Sequence, residues 1–436
     1  MHMGRINWGK PRWQRWGIGM VVGVLLTWLV GCGPAQSPTA TQPGQAEVEF
    51  WTMQLQPQYT DYFNQLIAQF EQQNPAIKVR WVDVPWAGME SKILTAVAAN
   101  TAPDVVNLNP NFASQLAERG AWLTLDDKIP PEVRQQYLSN IWQASVLNQQ
   151  TFGVPWYLTT RISIYNQDLL KQAGIEQPPA TFQQLMRVAQ PVHEKTGKFV
   201  FFATLVPGDS GEVLESLVQE GVSLVDADGK AAFNTPKTRE ILQNWVDLYK
   251  QGSIPKEVLT EGHRYAIDLY QRGDLAMVQS GPEFFKAISK NAPAIASVSV
   301  PAAQITGSTG KKNVAVMNLV IPKQSDQPEA ALKFALFVTN NQNQLAFAKA
   351  ANVLPSTAQA LQDPYFSQLP ANPTPLDQAR VVSAQQLKDA QVLIPAMKNV
   401  KQLQKLIYEN LQAAMLGQKS VDQAVNDAAN AWNQGI

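Results

Sequence analysis

The sequence predicts an α/β protein divided into two domains, and three observations lead there. Short segments with strand-like apolar alternation are interleaved with segments whose apolar residues recur at helical spacing. About 390 residues follow a Pro- and Ser-rich stretch near the N-terminus, more than one hydrophobic core comfortably serves. The chain holds one cysteine, Cys32, so burial rather than disulfide bonding must hold the fold.

Arg5, Lys10, Arg12 and Arg15 precede an uncharged run from Gly17 to Gly31, with no acidic residue before it. A basic region followed by a short apolar run is the pattern of an export signal. A spanning helix wants about 20 apolar residues, and this run offers 15. Leu29-Val30-Gly31-Cys32 resembles the bacterial lipobox, which has a small residue at the cut and a thiol to accept lipid. Residues 1–31 are therefore expected to be a lipoprotein signal peptide, and Cys32 the lipidation site. Acyl chains contribute about 0.8 kcal/mol per buried CH₂ to membrane anchoring. Residues 32–46 hold that cysteine and a tether rich in Pro, Ser, Thr, Gly and Gln, a composition that builds no core. The expected location is the bacterial cell envelope, with the folded part facing the periplasm or the exterior.

The first domain begins at residues 47–53, which alternate like a strand. Tyr62, Phe63, Leu66, Ile67 and Phe70 then mark a helix over 58–73, stopped by Asn74-Pro75. Residues 77–82 read as a strand, 89–99 as a helix, 104–108 as a strand, and 111–119 as a helix ending at Gly120. Strands alternating with helices argue for a mostly parallel sheet covered on both faces. A second region opens near Gly153. It has strands near 161–165, 275–278 and 297–300, and helices near 181–190, 211–220, 236–250 and 263–271. An apolar strand at 314–321 and a helix at 328–339 follow, and the tail from 385 to 433 is helical and amphipathic.

Charge and motifs exclude several functions. Without the four cations of the signal, 31 basic residues face 35 acidic ones, a net charge near −4. That disfavours nucleic acid as a partner. His193-Glu194 lacks a second histidine three residues on, so the zinc-protease helix pattern fails. Gly208-Asp209-Ser210-Gly211 continues with Glu212 where a serine protease has another glycine, and reads as a loop with Asp209 or Ser210 capping the next helix. Gly310-Lys311 has Ile305 where a phosphate loop needs glycine. Asp226 to Gly229 reads as a hairpin turn, since no glutamate completes a calcium loop. No cofactor or metal is expected.

Aromatic and amide residues remain. Eight tryptophans follow the tether, and Trp51, Trp86 and Trp156-Tyr157 stand where strands meet loops. Ligands of open α/β sheets bind beyond the carboxyl ends of the strands. Aromatic faces there stack on the C–H face of a sugar ring, while Asn, Gln, Asp and Glu bond its hydroxyls.

Several stretches together resemble the extracellular solute-binding proteins of the carbohydrate-uptake group, of which the maltose-binding proteins are distant members. They are Gly153-Val154-Pro155-Trp156-Tyr157 through Arg161 to Tyr165-Asn166; Ala173-Gly174-Ile175 with Pro178 to Phe182; Gly273-Asp274-Leu275-Ala276-Met277 through Ser280-Gly281-Pro282; Pro328 to Phe334; and Val353-Leu354-Pro355-Ser356. Their order covers 47–433. The resemblance implies a two-lobed periplasmic-binding-protein fold with three interlobe crossings and a ligand cleft. Lobe one would be 47–152 and 310–353, and lobe two 153–309 and 354–436. It implies a monomeric, non-enzymatic protein that captures a sugar and passes it to the permease subunits of an ATP-driven importer. Ligand contacts would come from Trp51, Trp86, Asn109, Trp156, Tyr157, Gly281, Glu283 and Phe284. Glu283 departs from the family, which often has an aromatic residue directly after this Gly-Pro. Lys311-Lys312-Asn313 stands where the family often has a glycine pair. Glycerol phosphate, a polyol or another small compatible solute is an alternative ligand, with Arg161 or Lys311 available to a phosphate. A lipid-anchored glycosidase is a further alternative and would need a carboxylate pair about 5–10 Å apart.

Overall fold

β1 (Ala46–Met53), β2 (Ile77–Val84) and β3 (Val105–Leu108) pair in parallel, with β1 in the middle. The computed structural model describes residues 45–394, 397 and 399–435. The expectations for the export signal, for Cys32 and for nearly all of the tether lie outside the described residues. Each of the three strands is followed by a helix: α1 (Thr60–Gln73), α2 (Trp86–Ala98) and α3 (Pro110–Ala117). α1 turns Phe63, Leu66 and Phe70 inward, at the spacing one helix face requires. It stops at Asn74, whose Nδ2 donates to the Phe70 carbonyl, and Pro75 bars continuation.

The sheet is mixed rather than mostly parallel. Lys312–Val320 runs antiparallel to β3 on one side and to Val154–Thr160 on the other, and Leu354–Pro355 completes that edge. The reason is connectivity. Val154–Thr160 leaves the sheet at its carboxyl end for the second core, and the chain returns beside that exit, so the incoming strand must point the other way. The sequence reading also starts the second region at Gly153, whereas residues 154–160 are hydrogen-bonded into this first sheet. Their neighbours form an aromatic core. Phe50, Phe63, Trp156, Phe334 and Phe347 interlock, with Trp156 stacked on Phe347 at 4.9 Å between centroids.

The second core surrounds a three-stranded antiparallel sheet. Ile162–Asn166 lies between Met277–Ser280 and Ser299–Ala303. Helices Phe182–Thr196, Glu212–Gln219, Pro236–Lys250 and His263–Gln271 cover it, and Thr181 and Thr235 cap the first and third through their hydroxyls. The tail from 385 comprises a short strand, Ala390–Gln391, and two helices, Val400–Met415 and Val421–Gln434. Gly417 turns between those helices at φ 72°. Ser420 and Gln423 then make a capping box. The hairpin at 226–229 is present: Val225 bridges Ala231, and Gly229 takes φ 78°. The cap expected from Asp209 or Ser210 is absent, because Gly211 holds the N-cap position. Asp209 instead accepts the His263 N–H at 2.7 Å and so caps the neighbouring helix.

The chain passes between the two cores near 160–162, 303–314 and 355–379. A small third cluster, including Leu158, Val314, Val316, Leu354 and Leu387, packs where these passages gather.

Candidate functional site

The carboxyl ends of β1 and β2 build one wall. Asp83 accepts bonds from the Thr52 hydroxyl and from the backbone N–H groups of Leu55 and Gln56. These bonds pin the loop 54–59 over the strand ends and fix Tyr59, which is half-buried against Phe347. Gln54 Oε1 accepts the Trp86 N–H at 3.3 Å, tying the start of α2 to the same loop.

The eight residues named from the sequence fall into three places. Trp51 and Trp156 lie inside the first core. Trp51 donates its indole N–H to Glu49 and lies under the Lys92 ammonium at 4.1 Å. Trp156 is fully enclosed, at 0% exposure, among Phe50, Phe63 and Phe347. Neither indole presents a face to a ligand, since strand alternation turns both toward packed helices.

A second set gathers at the turn after Met277–Ser280. Pro282 and Glu283 meet Leu158, Thr159 and Thr160 of the first sheet across a crease of about 10 Å³, room for a single water. The Glu283 carboxylate folds back over Gly281: a Cβ there would stand 2.2 Å from its oxygens. Desolvation raises the Glu283 pKa although the residue as a whole is exposed. A carboxyl on the wall of a narrow crease has this character, crowded by protein on both sides and open at the top. Partial burial, and then the Glu283 charge, raise the Tyr59 pKa. Burial likewise raises that of the enclosed Tyr157, with smaller contributions from Tyr59 and Asp83. Phe284 packs half-buried against the second core.

The third set, Trp86 and Asn109, stands on the elements next to a larger space without lining it. A cavity of about 830 Å³ is lined by Glu90, Glu118, Arg119 and Asn148 on the side of the first core and by Met397 and residues 399–402 on the other. Trp86 begins α2 one turn before Glu90, so the two side chains share a helix face. Trp86 is 45% exposed, an unusual state for an indole. The Lys401 ammonium reaches across to both Glu90 oxygens at 2.8 and 2.9 Å and stands 6.0 Å from the Phe112 ring. Asn109 caps α3 by accepting the Phe112 N–H at 2.9 Å.

Sequence reasoning missed two features. Tyr59 was hidden in the helix pattern of 58–73. The second is a buried ionic group beneath the inner surface of the second core. Arg161 Nη1 pairs with Glu215 Oε2 at 2.7 Å. Glu212, 4% exposed, has neither carboxylate oxygen bonded to the protein. Burial first, opposed by Arg161 and aided by Glu215 and Asp209, pushes the Glu212 pKa up to about 8. Burial and Arg161 push His263 down to about 4, against Asp209. Arg161, offered from the sequence to a phosphate, is thus engaged with Glu215. The exposed Lys311 lies in the return passage, where its carbonyl accepts from Gln219 and Thr306.

Two cores that meet across a polar cavity, joined by three passages, make the architecture of a binding receptor. Residues 56–345 match the bacterial extracellular solute-binding protein family. This chain belongs to that family. A candidate oligosaccharide periplasmic-binding protein from Synechococcus sp. MITs9220 shares 45% identity with this family member at a TM-score of 0.83, over 89% of this chain and 98% of that one. A second crystal structure of that neighbour is in complex with zinc; among the described residues here, no three His, Cys, Asp or Glu are placed to hold a metal. The cyclic α-maltosyl-1,6-maltose binding protein of Arthrobacter globiformis has the same two-lobed fold, with TM-score 0.77, 22% identity, and 90% and 99% of the two chains covered. The diacetylchitobiose binding protein of Streptomyces coelicolor is 25% identical over 311 residues, 69% of this chain and 71% of that protein. Among the described residues, no helix is long and apolar enough to cross a membrane.

Proposed function

We propose that this solute-binding protein captures a sugar, as a mono- or oligosaccharide or glycoside, between its lobes and delivers it to the permease of an ATP-driven importer. The observation that carries the reading is the exposed Trp86 on the same face of α2 as Glu90, which lines a cavity of hydrogen-bonding side chains from both cores. An indole face offers stacking area, and Glu90, Asn148, Asn399 and Gln402 offer partners for hydroxyls. Several relatives are named for oligosaccharides, which favours the same class here. The protein works as a monomer moored through lipid on Cys32, and it binds without chemistry. Ligand favours the closed arrangement by its differential affinity for that state.

The lobes divide at the passages: 46–160 with 312–355 against 162–303 with the C-terminal helices. Trp86 is the principal stacking residue, with Tyr59 and Glu283 at the crease and Asn109 holding α3. Neutral sugars are preferred to glycerol phosphate or other anions, because the charges lining the cavity balance, Glu90 and Glu118 against Arg119 and Lys401, and Arg161 is engaged elsewhere. Mass spectrometry of the small molecule that copurifies, followed by a thermal-shift panel of neutral and phosphorylated sugars and polyols, tests the reading. A stabilising neutral saccharide is expected. Selective stabilisation by phosphorylated compounds, or sugar release from glycans, would overturn it.

A further inference from the structure

The passages between the cores are joined by a closed ring of side-chain hydrogen bonds. Arg161 Nη1 donates to Glu215 Oε2 at 2.7 Å. Asn313 Nδ2 donates to Glu215 Oε1 at 3.0 Å. The Asn313 N–H donates to Gln304 Oε1 at 2.6 Å, and the Gln304 N–H donates to Gln386 Oε1 at 3.1 Å. Gln386 Nε2 closes the circuit on the Arg161 carbonyl at 2.8 Å.

Each passage contributes to this ring. Arg161 is the residue between the strand that leaves the first sheet and the strand that enters the second. Gln304 and Asn313 are the two ends of the return passage. Gln386 directly follows the Pro375–Gln385 helix, into which the third passage leads. Glu215, on the Glu212–Gln219 helix, belongs to the second core alone. Gln304, Gln386 and Glu215 are each buried, at 3, 2 and 5% exposure. Buried amides are costly unless bonded; here the Gln304 and Gln386 oxygens accept the backbone N–H groups of Asn313 and Gln304, and Gln386 Nε2 donates to the Arg161 carbonyl. An amide that only filled space would be replaceable by leucine; Gln386, whose bonds reach both other crossings, acts as a cross-tie, and Gln304 ties the two ends of the return passage.

We propose that this ring clamps the three crossings into one pivot, so that they turn together when the lobes move, with Asn313 and Gln386 as positioning residues for closure. The inference rests on the reading of the protein as a receptor whose lobes close. Without the clamp each crossing would absorb its own φ/ψ change, and the lobes would sample many relative orientations. Fully bonded polar networks rigidify in this way.

The test is the distance between two spin labels on the full chain carrying Cys32→Ser, which removes the sole native thiol. Exposed Gln73 and Lys250, one on each core, are changed to cysteine and labelled, and pulsed EPR records the ligand-free distribution. The parent is expected to give narrow maxima whose populations shift when a maltooligosaccharide mixture is added. Asn313→Ala and Gln386→Leu are each expected to broaden those maxima, and both leave the Arg161–Glu215 pair in place so that folding is retained. Thermal midpoints measured alongside separate this from simple destabilisation. A Glu49→Gln control, distant from the ring in the first core, should lower the midpoint without broadening. Parent and variant distributions of equal width would overturn the clamp while leaving lobe closure intact. A single parent distance indifferent to saccharide, unchanged in both variants, would overturn both.

Discussion

The two cores bury similar kinds of surface but settle their polar groups in opposite ways. The first is built round interlocked rings, Phe50, Phe63, Trp156, Phe334 and Phe347, with the Trp156 Nε1 left without a protein partner as the main polar cost. The second buries Glu212 and Glu215 against the part-buried Arg161 and His263. Ring packing tolerates little change of shape but has no preferred charge state. A buried ionic group has a preferred charge state and can be replaced as a set. The rigid sheet wall and the pivot are thus made of different materials, and substitutions should tell them apart.

The largest effects lie in the cores. Trp156→Ala would empty the centre of the aromatic cluster and cost about 3–5 kcal/mol of unfolding free energy. Denaturant titration measures it, and no second substitution short of refilling the space should restore the loss. Glu215→Leu alone should cost about as much, because it strands the Arg161 charge. Adding Arg161→Met should recover most of that loss, since replacing a whole buried pair by apolar groups is often neutral or better. A double variant no more stable than Glu215→Leu would contradict this account of the second core.

Much of this division was legible in the sequence. The strands expected at 77–82 and 104–108, found at 77–84 and 105–108, and the helices at 236–250 and 263–271 follow from apolar spacing, which is a local signal. The direction of Lys312–Val320 was not legible, because an apolar strand carries no mark of which neighbour it will meet. Trp51 and Trp156 sat at strand ends as expected of ligand contacts, but whether a side chain faces a cleft or a helix depends on register and on what packs above it. Trp86 was picked out because it follows a strand, although the helix expected from 89 begins at Trp86 itself. The ring of Gln304, Asn313 and Gln386 could not be read at all, since amides are frequent along this chain and only the tertiary fold selects these three.

Ligand binding should respond to the exposed wall rather than the enclosed rings. Trp86→Ala is expected to weaken saccharide affinity by about 2 kcal/mol, the cost of losing an aromatic anchor. The exposed indole contributes little to the core, so the thermal midpoint should hold. Calorimetry with the ligand identified by mass spectrometry measures the first, and unchanged affinity would remove Trp86 from the site.

The pH profile distinguishes the cores again. Glu212 titrates near 8 in the folded protein against 4.5 as its ordinary value. The folded state therefore holds the proton more tightly, and stability falls as pH rises from about 4.5 to 8. His263 is depressed to about 4 from 6.5, so its contribution is complete above 6.5 and is lost as pH falls toward 4. The two oppose each other between 4.5 and 6.5. From 6.5 to 8 the His263 contribution is constant while the Glu212 loss continues, up to about 1.4 kcal/mol per pH unit, in the same direction as that of Glu215, whose pKa burial also raises. Thermal midpoints of the parent should fall across that window, and those of Glu212→Gln should fall less.

The smallest effect belongs to the Lys401–Glu90 ion pair, which spans the cavity. Lys401 and Glu90 meet at 2.8 Å with side chains 54 and 31% exposed. Water and salt screen such a pair, and its contribution should be below about 1 kcal/mol. Lys401→Gln removes the charge while keeping a long polar side chain beside the ligand. Saccharide affinity should shift by less than about fivefold at low salt, and the shift should vanish near 1 M salt, where the Debye length is about 3 Å. A larger, salt-independent loss would mean that Lys401 touches the ligand directly. The recognition surface would then extend from the wall of α2 onto the start of the Val400–Met415 helix, and the contrast between a binding wall and a moving partner would give way to two walls that share the contact.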